Sequence, residues 1–125
     1  MKTIVIIDDE FGLADVLSAT LSDSGFRVHT ASNGAQGLAV MREHPPDLVL
    51  LDYMMPILDG PAVLRAMQAD ERFANTPVVM MSSLSEATVR TRASGYVAFL
   101  RKPFTFEAVL EAIEDAVGPG AGSVR

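Results

Sequence analysis

The chain contains no cysteine among its 125 residues. Disulfides and thiolate metal sites are therefore excluded, and the composition suits a reducing compartment, which leads us to expect a cytoplasmic protein. Basic residues are also scarce: Lys+Arg 10 against Asp+Glu 16 leaves a net charge of −6. Phosphate contacts need a basic surface, so direct nucleic-acid binding by this domain is not expected. Long apolar runs are missing too, so membrane insertion is not expected. The opening "MKTIVIIDDE" does not read as a signal peptide, because its apolar stretch, Ile4 to Ile7, runs straight into acids. There is no internal repeat and no sign of a second domain. What remains is globular: 49% apolar and 21% charged residues, in a length suited to one domain with a substantial core.

Short apolar strands alternate with amphipathic helices along the chain. "TIVII" (Thr3 to Ile7), "DLVLL" (Asp47 to Leu51) and "PVVMM" (Pro77 to Met81) are nearly continuous apolar runs, as expected of strands covered on both faces. "FRVHT" (Phe26 to Thr30) alternates and reads as an edge strand, and a short fifth strand is expected around Phe99–Leu100. The spacing predicts a helix from about Phe11 to Ser24, with Leu13, Val16, Leu17, Thr20 and Leu21 on one face and Gly25 stopping it. Further helices are expected from Asn33–Gly34 through Met41, from Gly60–Pro61, from Glu86 to about Ala93, and from a Thr105 cap through Val117. Repeated strand–helix units imply an α/β domain, a parallel sheet with helices on both faces. Residues 118–125, "GPGAGSVR", are expected to form a flexible tail.

Ligands of such sheets bind beyond the carboxyl ends of the strands. The residues just past those ends are Asp8 and Asp9, Asp52, Ser82 and Lys102. Taken singly, each acid reads more readily as a helix cap or a loop residue than as part of a site. Together they make a hard-oxygen set that selects Mg2+, with Mn2+ able to substitute, over zinc or copper. Lys102 offsets part of the negative charge and suits a phosphate oxygen, and Ser82 offers a hydroxyl donor. An aspartate among a divalent cation, an ammonium and a hydroxyl is arranged to attack phosphorus, so Asp52 reads as a phosphoryl acceptor.

The blocks "DDE" (Asp8–Glu10), "DYMMPILDG" (Asp52–Gly60), a hydroxyl residue after "VVMM", and "KPF" (Lys102–Phe104) resemble the receiver domain of two-component response regulators, over roughly Met1 to Val117. The resemblance implies a single flavodoxin-like, doubly wound domain over residues 1–117, with a five-stranded parallel sheet in the order 2-1-3-4-5 and five helices. It implies that Asp52 accepts a phosphoryl group from a histidine kinase or histidine phosphotransfer protein, and that an unknown downstream effector reads the result. Asp9 would be the direct Mg2+ ligand, Asp8 would act mostly through water, and the backbone carbonyl of Met54 would complete the set. Lys102 would hold the phosphoryl group, Ser82 would sense it, and Phe99 would be the aromatic switch. The family further implies a cis bond between Lys102 and Pro103. Residues two past the acceptor and two past the sensing hydroxyl, here Met54 and Leu84, would flank the route of the hydrolytic water. Both are apolar, so self-dephosphorylation should be slow.

This chain departs from the family in three places. Ser82 stands where threonine is more frequent, Phe99 where tyrosine is common, and the segment from Ser82 to Lys102 is about half a helical turn short, which bears on the fourth helix. Two readings compete with the receiver: a phosphorylation-independent docking module and a Mg2+-dependent aspartyl-phosphate phosphohydrolase. The hydrolase would need a second aspartate at position 54 as general acid, and Met54 occupies it, so no true enzyme is expected. A flavodoxin-like cofactor binder would need a phosphate cradle where Asp8, Asp9 and Glu10 stand. Glu10 reads as a solvent-facing helix start, Asp59 as a turn former, and His29 and His44 as exposed residues.

Overall fold

A computed structural model describes residues 1–121, and in it each apolar run becomes a strand of one sheet. The strands are β1 (Thr3–Ile7), β2 (Arg27–Ala31), β3 (Leu48–Asp52), β4 (Val78–Ser82) and β5 (Ala98–Arg101). The helices are α1 (Phe11–Asp23), α2 (Gly34–Glu43), α3 (Gly60–Gln68), α4 (Glu86–Arg90) and α5 (Phe106–Val117). All pairings are parallel and the order is β2-β1-β3-β4-β5, so the chain reverses its direction of travel between β1 and β3.

β1, β3 and β4 are buried along their whole length, which is why they read as unbroken apolar runs. Successive side chains serve opposite faces. Val5, Ile7, Val49, Leu51 and Met80 pack with Met41, Val63, Leu64 and Met67 of α2 and α3. Ile4, Ile6, Leu48, Leu50, Val79 and Met81 pack with Leu17, Leu21, Val109 and Ile113 of α1 and α5. Caps set the helix starts: Asn33 accepts from Gln36 N at 2.9 Å, Asp59 from Ala62 N at 3.0 Å, and Thr105 from Ala108 N at 3.1 Å. Gly25, at φ +92°, turns the chain out of α1.

Two expectations are corrected. Val16 is 62% exposed: the buried stripe of α1 is Ala14, Leu17 and Leu21, with Leu13 partly covered, so the helix is rotated away from Val16. The fourth helix ends at Arg90 and not near Ala93. Thr91 Oγ1 donates to Thr88 O at 2.6 Å, a side-chain bond to the carbonyl of the last turn, and one further turn, in which Arg92 N and Ala93 N both donate to Val89 O at 3.0 Å, leads toward Gly95 at φ +95°.

Beyond α5, Gly118–Ala121 lies against the α1–β2 turn. Ala121 N donates to Gly25 O at 3.0 Å, Lys2 Nζ reaches Pro119 O at 3.4 Å, and Gly120 sits where a Cβ would strike the Ser24 carbonyl. The rest of the expected flexible tail, 122–125, lies outside the described residues. No described helix is long and apolar enough to cross a membrane.

Candidate functional site

The register of the sheet assembles the site. Ile7 is level with Ala31 and Leu51, Asp52 with Met81, and Ser82 with Arg101. Asp8, Asp52, Ser82 and Lys102 therefore emerge together at the carboxyl edge. Lys102 N donates to Ser82 O at 2.8 Å, which ties the ends of β4 and β5, and the Lys102–Pro103 bond is cis.

Lys102 Nζ lies 3.0 Å from Asp8 Oδ2, 3.1 Å from Glu10 Oε1 and 3.4 Å from Asp52 Oδ1. The Asp8 side chain is wholly buried, and its other oxygen accepts from Glu10 N at 2.8 Å. Asp52 is nearly as buried, whereas Asp9 is exposed. Asp8, Asp9 and Asp52 each present a carboxylate oxygen within 4.8 Å of the others. A cavity of about 210 Å³ opens over Asp9 and Asp52, lined also by Glu10, Met54, Ser82, Ser83 and Lys102.

Burial pushes the Asp52 carboxyl up, and repulsion from Asp8 adds to it. The Lys102 ammonium pulls the other way and a hydrogen bond with Asp9 raises it again, leaving Asp52 at about 7 against an ordinary 3.8. Burial alone would lower Lys102, but Asp8, Asp52 and Glu10 outweigh it and hold its ammonium above the usual lysine value. Three oxygen donors short of positive charge, with no histidine or thiolate among them, fit a hard divalent cation such as Mg2+ or Mn2+.

The five residues singled out past the strand ends converge, with Met54 at the rim, 62% exposed. Phe99 stands two residue pairs back from the edge, level with Met80, packed on the α2–α3 core and tilted against Tyr96 at 6.3 Å. Leu84 does not line the cavity: it packs on the same core, and Ser83 faces the acids in its place. Ser82 Oγ accepts from Leu84 N at 3.0 Å, so its own proton is available to a further acceptor. Glu10 belongs to the site through its contact with Lys102, although its side chain is 61% exposed; its place in "DDE" was the available signal. Asp59 caps α3 and also takes Arg92 Nη2 at 3.2 Å, a long-range pairing with no local sequence signature. His29 and His44 stack on each other with ring centroids 3.8 Å apart, and His29 is half-buried, where the sequence had suggested two exposed rings.

Residues 4–114 match the family described as "Response regulator receiver domain". The sequence is 37% identical over 112 residues to the DNA-binding dual master transcriptional regulator RpaA of Synechocystis sp., covering 88% of this chain and 46% of that protein. It is 32% identical over 124 residues to the phosphate regulon transcriptional regulatory protein PhoB of Pseudomonas aeruginosa, covering 95% of this chain and 54% of that one. The chain thus spans about half the length of these curated relatives. Its fold is similar to that of the chemotaxis protein CheY4 of Vibrio cholerae, with a TM-score of 0.88, 26% identity, and coverage of 94% and 99%.

Proposed function

Because the chain belongs to the response-regulator receiver domain family, we propose that Asp52 takes a phosphoryl group from the phosphohistidine of a histidine kinase or histidine phosphotransfer protein. The observation that carries this reading is the convergence on Asp52: a buried carboxylate 3.4 Å from the Lys102 ammonium, with Asp8 and Asp9 oxygens within 4.8 Å. An Asp52 oxygen forms the bond to phosphorus as the P–N bond to the donor imidazole breaks, and the imidazole keeps that electron pair and takes up a proton.

Asp9, Asp52 and the Met54 carbonyl would hold Mg2+ directly, and Asp8, already engaged with Lys102 and Glu10 N, would act through water. The cation supplies charge neutralisation at the phosphoryl oxygens. Lys102 shifts from the carboxylates toward the phosphoryl group, and the Ser82 hydroxyl donates to another of its oxygens. Ser82 sits at the end of β4, so its movement draws the loop leading to α4 and gives Phe99 room to turn inward. The surface offered to a downstream effector changes with it, as a shift between existing conformations.

The domain acts stoichiometrically. With Met54 two residues past Asp52, no general acid stands ready for turnover, and phosphoryl loss is slow. Its net charge of −6 leaves any DNA contact to other parts of a longer protein. The composition and lack of cysteine suit the cytoplasm. The test is incubation with Mg2+ and acetyl phosphate followed by intact mass measurement. A base-labile adduct of one phosphate, absent in Asp52→Asn, is expected. An unmodified protein, or an adduct that persists in Asp52→Asn, would refute the assignment and favour a docking module.

A further inference from the structure

Away from the acid edge, the shortened α4 leaves a hollow of about 390 Å³ between α3 and the loop that follows Arg90. Arg65, Arg90 and Arg92 line it over a floor that includes Leu64 and Ala93, and no lining residue is acidic. In a chain of net charge −6 this is a local excess of positive charge. Arg65 has no ion-pair partner among the described residues. Arg92 meets Asp59 through Nη2 alone at 3.2 Å, whereas Arg90 meets Glu86 Oε2 through both Nη2 at 3.1 Å and Nε at 3.2 Å, an oxygen that also accepts from the Tyr96 hydroxyl at 2.9 Å. A second hollow of about 340 Å³ shares Arg90 and Ala93 with the first and adds the ring of Tyr96.

We propose that these adjoining hollows bind a nucleoside phosphate, with its phosphates among Arg65, Arg90 and Arg92 and its base toward Tyr96. Arg65, unpaired among the described residues, and the half-engaged Arg92 line one concavity with Arg90 and suit phosphate oxygens, which accept two parallel N–H bonds from a single guanidinium. Tyr96 brings a partly buried aromatic ring to the second hollow, and each hollow falls within the roughly 300–1,000 Å³ typical of small-molecule sites. Opposite signs of charge separate this site from the acid edge, where a free nucleotide would be repelled without a cation.

The probe is ADP, titrated calorimetrically into the protein in EDTA so that no divalent cation recruits phosphate to Asp52. Saturable binding with Kd below about 1 mM is expected, weakened at least about tenfold in Arg65→Ala and in Arg90→Ala. Both side chains are exposed, so neither change threatens the fold. Arg42→Ala, which removes an exposed arginine from α2, should bind ADP like the parent. The absence of saturation by about 10 mM, or equal weakening by Arg42→Ala, would overturn the site. Pyrophosphate binding as tightly as ADP, or an acidic peptide binding where ADP does not, would overturn the nucleoside phosphate as its ligand.

Discussion

Asp52→Asn should stabilise the metal-free protein, by an amount that depends on pH. In the folded protein burial and Asp8 push the Asp52 carboxyl from 3.8 to about 7. The unfolded chain releases that proton near the ordinary value, so between these limits the folded state carries the extra proton. Stability then falls as pH rises through the window, is whole below about pH 4, and reaches its low plateau above about pH 7. The gap from 3.8 to about 7, at about 1.4 kcal/mol per pH unit, sets a ceiling of about 4 kcal/mol. Side-chain relaxation and water entry reduce this, and we expect about 2 kcal/mol at pH 8. Urea unfolding followed by circular dichroism, in EDTA, at steps between about pH 4 and pH 8, measures it. The difference between parent and Asp52→Asn should open across the window, and Mg2+ should close it by stabilising the parent alone. A difference that does not change with pH, or Mg2+ stabilising both proteins equally, would refute the electrostatic account of Asp52.

Lys102→Met leaves Asp8 buried without its cation, the Lys102 side chain being only 12% exposed in the parent, and should cost about 2–4 kcal/mol in urea unfolding at pH 7.5. Ile57 holds φ +72° while 80% exposed, an unfavourable conformation for a β-branched residue that no packing requires. Ile57→Asn should therefore raise stability by about 1 kcal/mol, read as a higher melting temperature. Met54→Asn places a polar group on the cavity rim and should speed phosphoryl loss about tenfold, about 1.4 kcal/mol of barrier, followed by the decay of the mass adduct.

The central strands were legible because burial on both faces leaves no polar position in "TIVII", "LVLL" or "VVMM". The acids were legible because each follows such a run. What sequence pattern did not carry was side-chain partnership. Val16 fits the helical period of α1, yet the rotation of the helix is decided by how Ala14, Leu17 and Leu21 pack on Phe26 and the sheet. Nothing local to Arg92 or Asp59 announces that they meet across 33 positions. Leu84 could have faced either the acids or the core, and a single turn after Ser82 sends it to the core. The helix proper of α4 stops at Arg90 while Ala93 N still donates to Val89 O, and sequence pattern does not place such a graded end to the residue.

The docking of Gly118–Ala121 on the α1–β2 turn settles where the polypeptide departs. Since α5 runs back from the edge that holds Lys102, the exit lies beside the beginnings of β1 and β2. Five-residue strands separate that point from Asp52 by roughly 17 Å. A fluorophore or an immobilising tag attached behind Ala121 therefore sits at the pole opposite the acids, and a donor protein can approach them unhindered. Surface-tethered kinetics of phosphoryl exchange are accordingly best run with the chain anchored by its rear.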